Sequence, residues 1–169
     1  MTIELTKTPS FRLDGKRALV TGAGRGIGLA AVSALADAGA HVTLAARTSK
    51  EIEEAAEAIR VRGQKATPLT LDVRDVEAVK KAVAAQEPFD ILVNNAGTNR
   101  PAPFVDVKLE DFDFVFSLNV RAAYFVAQAV ARRLHHQYVL TKGPCWRADP
   151  HGLLRDQACD GRFHKGDGD

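Results

Sequence analysis

The stretch Thr21-Gly22-Ala23-Gly24-Arg25-Gly26-Ile27-Gly28 constrains the fold of this chain more than any other, because it joins an apolar run, Ala18-Leu19-Val20, to a long Ala/Leu-rich pattern of helical period. It reads as strand, glycine turn and helix start. Gly22 permits the tight turn, Gly26 lets the backbone approach a pyrophosphate that a Cβ would obstruct, and Gly28 lets the new helix pack closely on the sheet. An anion at such a helix start meets unpaired N–H groups and the positive end of the helix dipole. With a strand before it and a helix after it, the motif points to a bound dinucleotide; a glycine turn that binds nothing is the weaker alternative.

The rest of the chain repeats the alternation. A polar lead-in ends in the turn Asp14-Gly15-Lys16. A helix from Ile27 to Ala38 is closed by Gly39, and His41 to Ala45 forms a second strand. Thr48-Ser49-Lys50-Glu51 resembles a capping box, and its helix is expected to run to about Arg62, where Gly63 stops it. Thr67 to Leu71 is a third strand, Asp75 to about Gln86 a third helix, Ile91 to Val93 a fourth strand and Leu109 to Leu134 a helix. Such alternation predicts a parallel sheet with helices on both faces, and right-handed crossovers then give a Rossmann-type, doubly wound α/β fold. The expectation is one domain over residues 1–134, truncated after the fourth strand and the helix that follows it, and a non-native or disordered tail over 135–169.

Ligands of these sheets gather at the carboxyl ends of the strands. Arg47 follows the second strand, Asp72 the third, and Asn94-Asn95-Ala96-Gly97 the fourth. Each alone reads as a capped turn. Together, on one edge of the sheet, they mark a site.

Bulk properties exclude some partners. Lys+Arg number 23 and Asp+Glu 21, a balance that offers no attraction to nucleic acid or an anionic membrane. No apolar run suggests a membrane span, and the first residues lack the pattern of a signal peptide, so the cytoplasm is the expected compartment. The two cysteines, Cys145 and Cys159, make no disulfide framework.

These motifs resemble those of the short-chain dehydrogenase/reductase family. Thr21 to Gly28 matches its TGxxxGxG motif, Asn94 to Gly97 its NNAG motif, and Asn119 the helix asparagine of its catalytic tetrad. The resemblance covers about residues 11 to 134, roughly four fifths of the chain. It implies that Thr21, Gly22, Gly24, Arg25, Gly26, Ile27 and Gly28 hold the cofactor, that Asp72 and the Val73 backbone meet its adenine, and that Asn94, Ala96 and Gly97 border its ribose and brace the sheet. Asn119 would hold a water of the proton relay. The family's helix containing Asn119 joins an oligomer interface, so Tyr124, Phe125 and Val126 are expected to be exposed, and this chain to aggregate.

Charge argues the cofactor. An acid after the second strand binds the ribose 2′-hydroxyl of NAD, whereas a 2′-phosphate requires a cation there. The chain has Ala46-Arg47 and no acid, and Arg25 inside the glycine turn is a second guanidinium able to grip a phosphate. NADP(H) is therefore favoured over NAD(H).

After Leu134 the pattern stops. The resemblance implies hydride transfer between a nicotinamide and a small carbonyl or alcohol, with a Y-x-x-x-K pair that supplies the proton and an upstream serine that orients the substrate oxygen. Tyr138 and Lys142 have that spacing, yet Tyr138 comes 19 residues after Asn119 with no serine-bearing strand between, and Gly143-Pro144 breaks any helix. The pair reads as coincidence. From His135 the composition turns to His, Arg, Gly, Asp, Cys and Trp without strand or helical period. Back-translated and read one base later, His135 to Leu140 permit I-I-N-M-S-S, and His151 to Asp169 permit T-V-Y-C-A-T-K-H-A-T-E-G-F-T-K-A-M-A, the serine strand and the Y-x-x-x-K helix in order. A frame change after Leu134, with a few residues lost, accounts for the tail.

Three functions follow: an NADP(H)-dependent oxidoreductase by descent, inactive in this form; a nucleotide-binding module without turnover; and a zinc site from Cys145, His151, Cys159 and His164. The intervals of the last fit no tight-pair zinc spacing, so no metal is expected.

Overall fold

The computed structural model of the protein describes residues 10–133 and the segments 138–141, 146–148 and 154–156. Strands β1 (Arg17–Thr21), β2 (His41–Ala46), β3 (Ala66–Thr70), β4 (Ile91–Asn94) and β5 (Tyr138–Thr141) form one sheet in the order β3-β2-β1-β4-β5. Every neighbouring pair is parallel. Helices α1 (Gly26–Asp37), α2 (Ser49–Val61) and α3 (Val76–Ala84) make the crossovers between the first four strands. After β4, α4 (Leu109–Phe116), a π-helical turn (Ser117–Ala122) and α5 (Ala123–Ala131) follow without a break.

Alternation along β1 explains the layers. Ala18 and Val20 turn to one face and pack with Val32 of α1 and Ile52, Ala56 and Ile59 of α2. Leu19 turns to the other and packs with Val79 and Val83 of α3 and Val126 and Val130 of α5. A strand apolar at every position is thereby buried on both faces, as parallel sheets require. The order reverses between β2-β1 and β4, which opens a crevice above the carboxyl ends of β1 and β4.

The doubly wound parallel sheet with flanking helices is as expected; four details differ. In the tail, whose sequence lacks strand period, Tyr138–Thr141 pairs in register with Ile91–Asn94, and Trp146–Ala148 pairs antiparallel with Leu154–Asp156. Backbone pairing with the open edge of β4 offsets the weak local period of the sequence there. The rest of the tail, including Lys142 and Cys145, His151, Cys159 and His164, lies outside the described residues. The continuous helix Leu109–Ala131 spans 23 residues and is long and apolar enough to cross a membrane by length and composition. Yet Ala122, Val126, Ala129 and Val130 are buried in the core of this domain, and Asn119 is tied to the loop after β4. Of the residues expected to be exposed, Tyr124 is and Phe125 is half-buried, but Val126 is core. Finally, Thr48 takes the N-cap position of α2 without a side-chain hydrogen bond, so the capping box does not close.

The lower edge of the sheet carries a titrating link. His41 Nδ1 lies 3.2 Å from Arg17 Nη1 and Nε2 lies 2.8 Å from Thr67 Oγ1, joining β1, β2 and β3. A guanidinium only donates, so Nδ1 accepts and the ring proton sits on Nε2, donated to Thr67. A second ring proton would set two donors against each other. Burial holds the His41 imidazole below its ordinary value, helped by the charges of Arg17, Lys65 and Arg60 and opposed by Glu87. Because the folded-state value is depressed, the unfolded chain binds the proton first. The contribution is complete above about pH 6.5 and declines as pH falls toward the folded value. Thermal melts should therefore lose midpoint between pH 7.5 and 5.5, and His41→Gln should flatten that dependence; a flat profile in the wild-type protein would contradict the link.

Candidate functional site

The glycine turn is shaped by steric demands that can be read atom by atom. Gly22 has φ +64° and its missing Cβ would lie 2.9 Å from the Ala96 Cα; Gly26 has φ +57° with open space on its side-chain side. Both need the left-handed region that L side chains avoid. At Gly26, the first residue of α1, that open space leaves room for a ligand backbone or phosphate. α1 has no side-chain cap and no acid in its first turn, unlike α3, where Asp75 accepts from Ala78 N. Its first amides are directed at the crevice side with their partial positive charge uncompensated by a carboxylate of the helix itself.

Thr21 and Asn95 knit the turn to β4. Thr21 Oγ1 accepts from Asn95 N at 3.1 Å and Ala96 N at 3.0 Å, and Asn95 Nδ2 donates to Thr21 O and Gly22 O, both at 3.1 Å. Thr21 is 1% exposed, so these bonds form away from water, where an unmade one costs about 1–3 kcal/mol. β1 and β4, paired in register from Ala18–Ile91 to Val20–Val93, are thus tied together again just beyond the point where their pairing ends.

The crevice has a volume of about 330 Å³. Of the residues the sequence pointed to, Gly22, Gly24, Arg25, Ile27, Arg47, Asp72, Val73, Ala96 and Gly97 line it. The others stand behind its wall. Thr21 braces from beneath, Gly28 packs against Gly22 O, Gly26 begins α1, and Asn94 is buried with its Nδ2 donating to Ala123 O at 3.0 Å. Asn94 therefore holds the long helix to the sheet and does not face the crevice. Asn119, in the π-helical turn, clamps Thr98: its Oδ1 accepts from Thr98 N and its Nδ2 donates to Thr98 O, each at 2.8 Å. That two-point contact fixes the loop after β4.

The crevice is also lined by Ala45, Ala46, Thr48, Glu51, Leu71 and Leu118, which the sequence did not single out as site residues. Ala45, Ala46 and Leu71 sit at strand ends, and their apolar character gave no sign beyond core packing. Asn95 was visible within the NNAG motif. Glu51 carried a signal for the opposite role, the closed capping box.

Electrostatics divides the crevice. Arg25 and Arg47 lie on the α1–β2 side with Glu51. On the β3 side the Asp72 carboxylate is gripped by Arg74, with Nη2 to Oδ2 at 2.6 Å and Nε to Oδ1 at 3.1 Å. Arg74 first, and then its backbone N–H and the charge of Arg47, hold Asp72 below the usual carboxylate range against the opposing effect of burial. It is an acceptor at any ordinary pH. Beyond it Phe114 lies under the guanidinium of Arg100 at 3.9 Å and that of Arg74 at 5.6 Å, and Arg100 pairs with Asp111. Among the described residues no group of three His, Cys, Asp or Glu could hold a metal ion.

Comparison with known proteins agrees with this geometry. A family model for short chain dehydrogenase matches residues 16–139. The chain is 46% identical over 128 residues to gluconate 5-dehydrogenase of Gluconobacter oxydans, covering 73% of this chain and 50% of that one. It is 43% identical over 121 residues to L-xylulose reductase of Mesocricetus auratus, 71% and 48% of the two chains. A crystal structure of gluconate 5-dehydrogenase from Burkholderia cenocepacia in complex with NADP and tartrate superposes with a TM-score of 0.69 at 40% identity, over 73% of this chain and 50% of that one. The chain spans about half the length of the curated relatives it matches.

Proposed function

The chain belongs to the short-chain dehydrogenase family, and from that premise we propose that it descends from an NADP(H)-dependent oxidoreductase acting on a small polyhydroxylated carbonyl or alcohol and retains the nucleotide-binding half of its machinery without turnover. The observation that carries the reading is the crevice at the β1/β4 divergence, with the uncapped start of α1 beneath it and two guanidiniums, Arg25 and Arg47, on its wall. When bound, the nicotinamide supplies or accepts the hydride. The chain's own residues bind and orient: the first amides of α1 meet the diphosphate, Arg47 and Arg25 the 2′-phosphate, and Asp72 with the Val73 backbone the adenine. Relatives named for gluconate, xylulose and erythrulose support the substrate class.

Among the described residues no side chain is given the proton-transfer step. Of the tetrad only Asn119 stands at its position, and its side chain is committed to Thr98. In the intact form the exposed face of Phe112, Phe116, Val120 and Tyr124 would pack in a homo-oligomer; uncovered, it favours aggregation. A module that binds the nucleotide and does nothing to it is the same reading applied to this form of the chain.

Nicotinamide fluorescence tests it directly. NADPH should bind, Arg47→Ala should weaken it by about tenfold with NADH unchanged, since one lost bidentate charge-assisted contact is worth roughly 1.5–3 kcal/mol before screening. Turnover with sugar-type ketones should be undetectable. A folded chain that binds neither cofactor at millimolar concentration would refute the proposal.

A further inference from the structure

The sequence offers no acid at the end of β2, but the fold brings one to the crevice from the next helix. Glu51 stands in the first turn of α2 and lines the crevice together with Arg25, Arg47 and Thr48. Its place is set by the glycine turn: a Cβ on Gly24 would lie 2.6 Å from Glu51 Oε2 and 3.1 Å from the Glu51 Cβ. Gly24 is therefore a seat for this side chain, a requirement separate from the turn itself, since Gly24 is not among the glycines with positive φ. Seated there, Glu51 does not complete the capping box with Thr48, and among the described residues its carboxylate makes no hydrogen bond or ion pair. An acid that served only the helix would be directed at the N-cap.

We infer that Glu51 is a specificity-determining residue that accepts the ribose 2′-hydroxyl of a non-phosphorylated dinucleotide and repels a 2′-phosphate, so that the crevice admits both NAD(H) and NADP(H) rather than NADP(H) alone. The inference rests on the dinucleotide reading above and changes its selectivity. Two chemistries meet on one wall. Arg25 and Arg47 attract a dianionic phosphate, while a carboxylate beside them subtracts from that attraction and supplies the acceptor that a free hydroxyl needs. The net positive balance keeps NADPH bound, and the single acid keeps NADH competitive.

The experiment measures equilibrium binding of NADPH and of NADH to the full chain by nicotinamide fluorescence, with Glu51→Gln and Arg47→Ala beside the wild type. Glu51→Gln should tighten NADPH by about fivefold and weaken NADH by about threefold, the size expected for one solvent-screened charge at the edge of a site. The NADPH gain should shrink as salt is raised to about 1 M, where the screening length falls to roughly 3 Å. Equal shifts for the two nucleotides, or none, overturn the assignment of Glu51. They do so on that ground alone when Arg47→Ala still weakens NADPH selectively; when Arg47→Ala has no selective effect either, the phosphate reading underneath fails and both fall.

Discussion

Replacing Gly28 by alanine is expected to destabilise the fold by roughly 2–4 kcal/mol and to reduce nucleotide binding by at least about tenfold. The added methyl would lie 2.2 Å from Gly22 O, 2.9 Å from Gly22 C and 2.5 Å from Asn95 Nδ2. Two of those three atoms are backbone. Gly22 cannot retreat, because its own carbonyl accepts from Asn95 and its side-chain side already faces the Ala96 Cα at 2.9 Å. α1 would have to lift from the sheet, drawing Val32 and Ala36 out of the core and tilting the amides that face the crevice. Against a typical total of about 5–15 kcal/mol, such a loss leaves a chain near its melting point.

Gly63→Ala supplies the comparison. Gly63 also has a positive φ, +79°, but nothing lies within 4 Å of the added methyl, so only backbone strain of about 1–2 kcal/mol is expected and binding should be untouched. Urea denaturation and NADPH fluorescence on both variants separate sterics from strain. Gly28→Ala behaving no worse than Gly63→Ala would mean that the helix and strand are not in the close contact described.

Much of the fold was legible because its signals are local. β1 and β2 are short apolar runs bounded by turn residues, and the first two crossover helices end at stops visible in the sequence, Gly39 and Gly63. The crevice was legible by rule, since every strand end of a doubly wound sheet faces one edge. Side-chain direction was not. Asn94 and Asn95 are adjacent and chemically identical, yet one is buried against Ala123 O and the other holds the glycine turn, because successive residues leaving a strand point to opposite sides. Glu51 went to Gly24 instead of to its own N-cap for a reason of tertiary packing that no spacing records. β5 escaped notice for a related cause: pairing with β4 imposes an extended backbone on residues whose own period does not announce it.

Under the proposed frame change, restoring the offset frame at the codon for His135 together with the few residues lost there is expected to yield NADPH-dependent reduction of small sugar-type ketones. The offset reading would place a serine-bearing strand where the structure already has β5 beside β4, then a tyrosine and lysine in the Y-x-x-x-K spacing at the codons of Leu153 and Gln157. That spacing puts both side chains on one face of a helix, where the ammonium lowers the tyrosine pKa and lets it act as the acid. Proton transfer of this kind contributes about 10²–10⁴-fold by itself, so the gain should be plain in NADPH absorbance. It should vanish when the restored tyrosine is changed to phenylalanine, while Arg47→Ala should raise KM for NADPH with kcat little altered, because in the proposed reading Arg47 would meet the phosphate in ground and transition state alike. In the chain as written, Tyr138→Phe should have no effect, since a residue of β5 cannot share a helix face with Lys142. Native codons that forbid the offset residues, or an enzyme-like rate in the written chain that depends on Tyr138, would show that the tail is the protein's own and that its chemistry must be sought there.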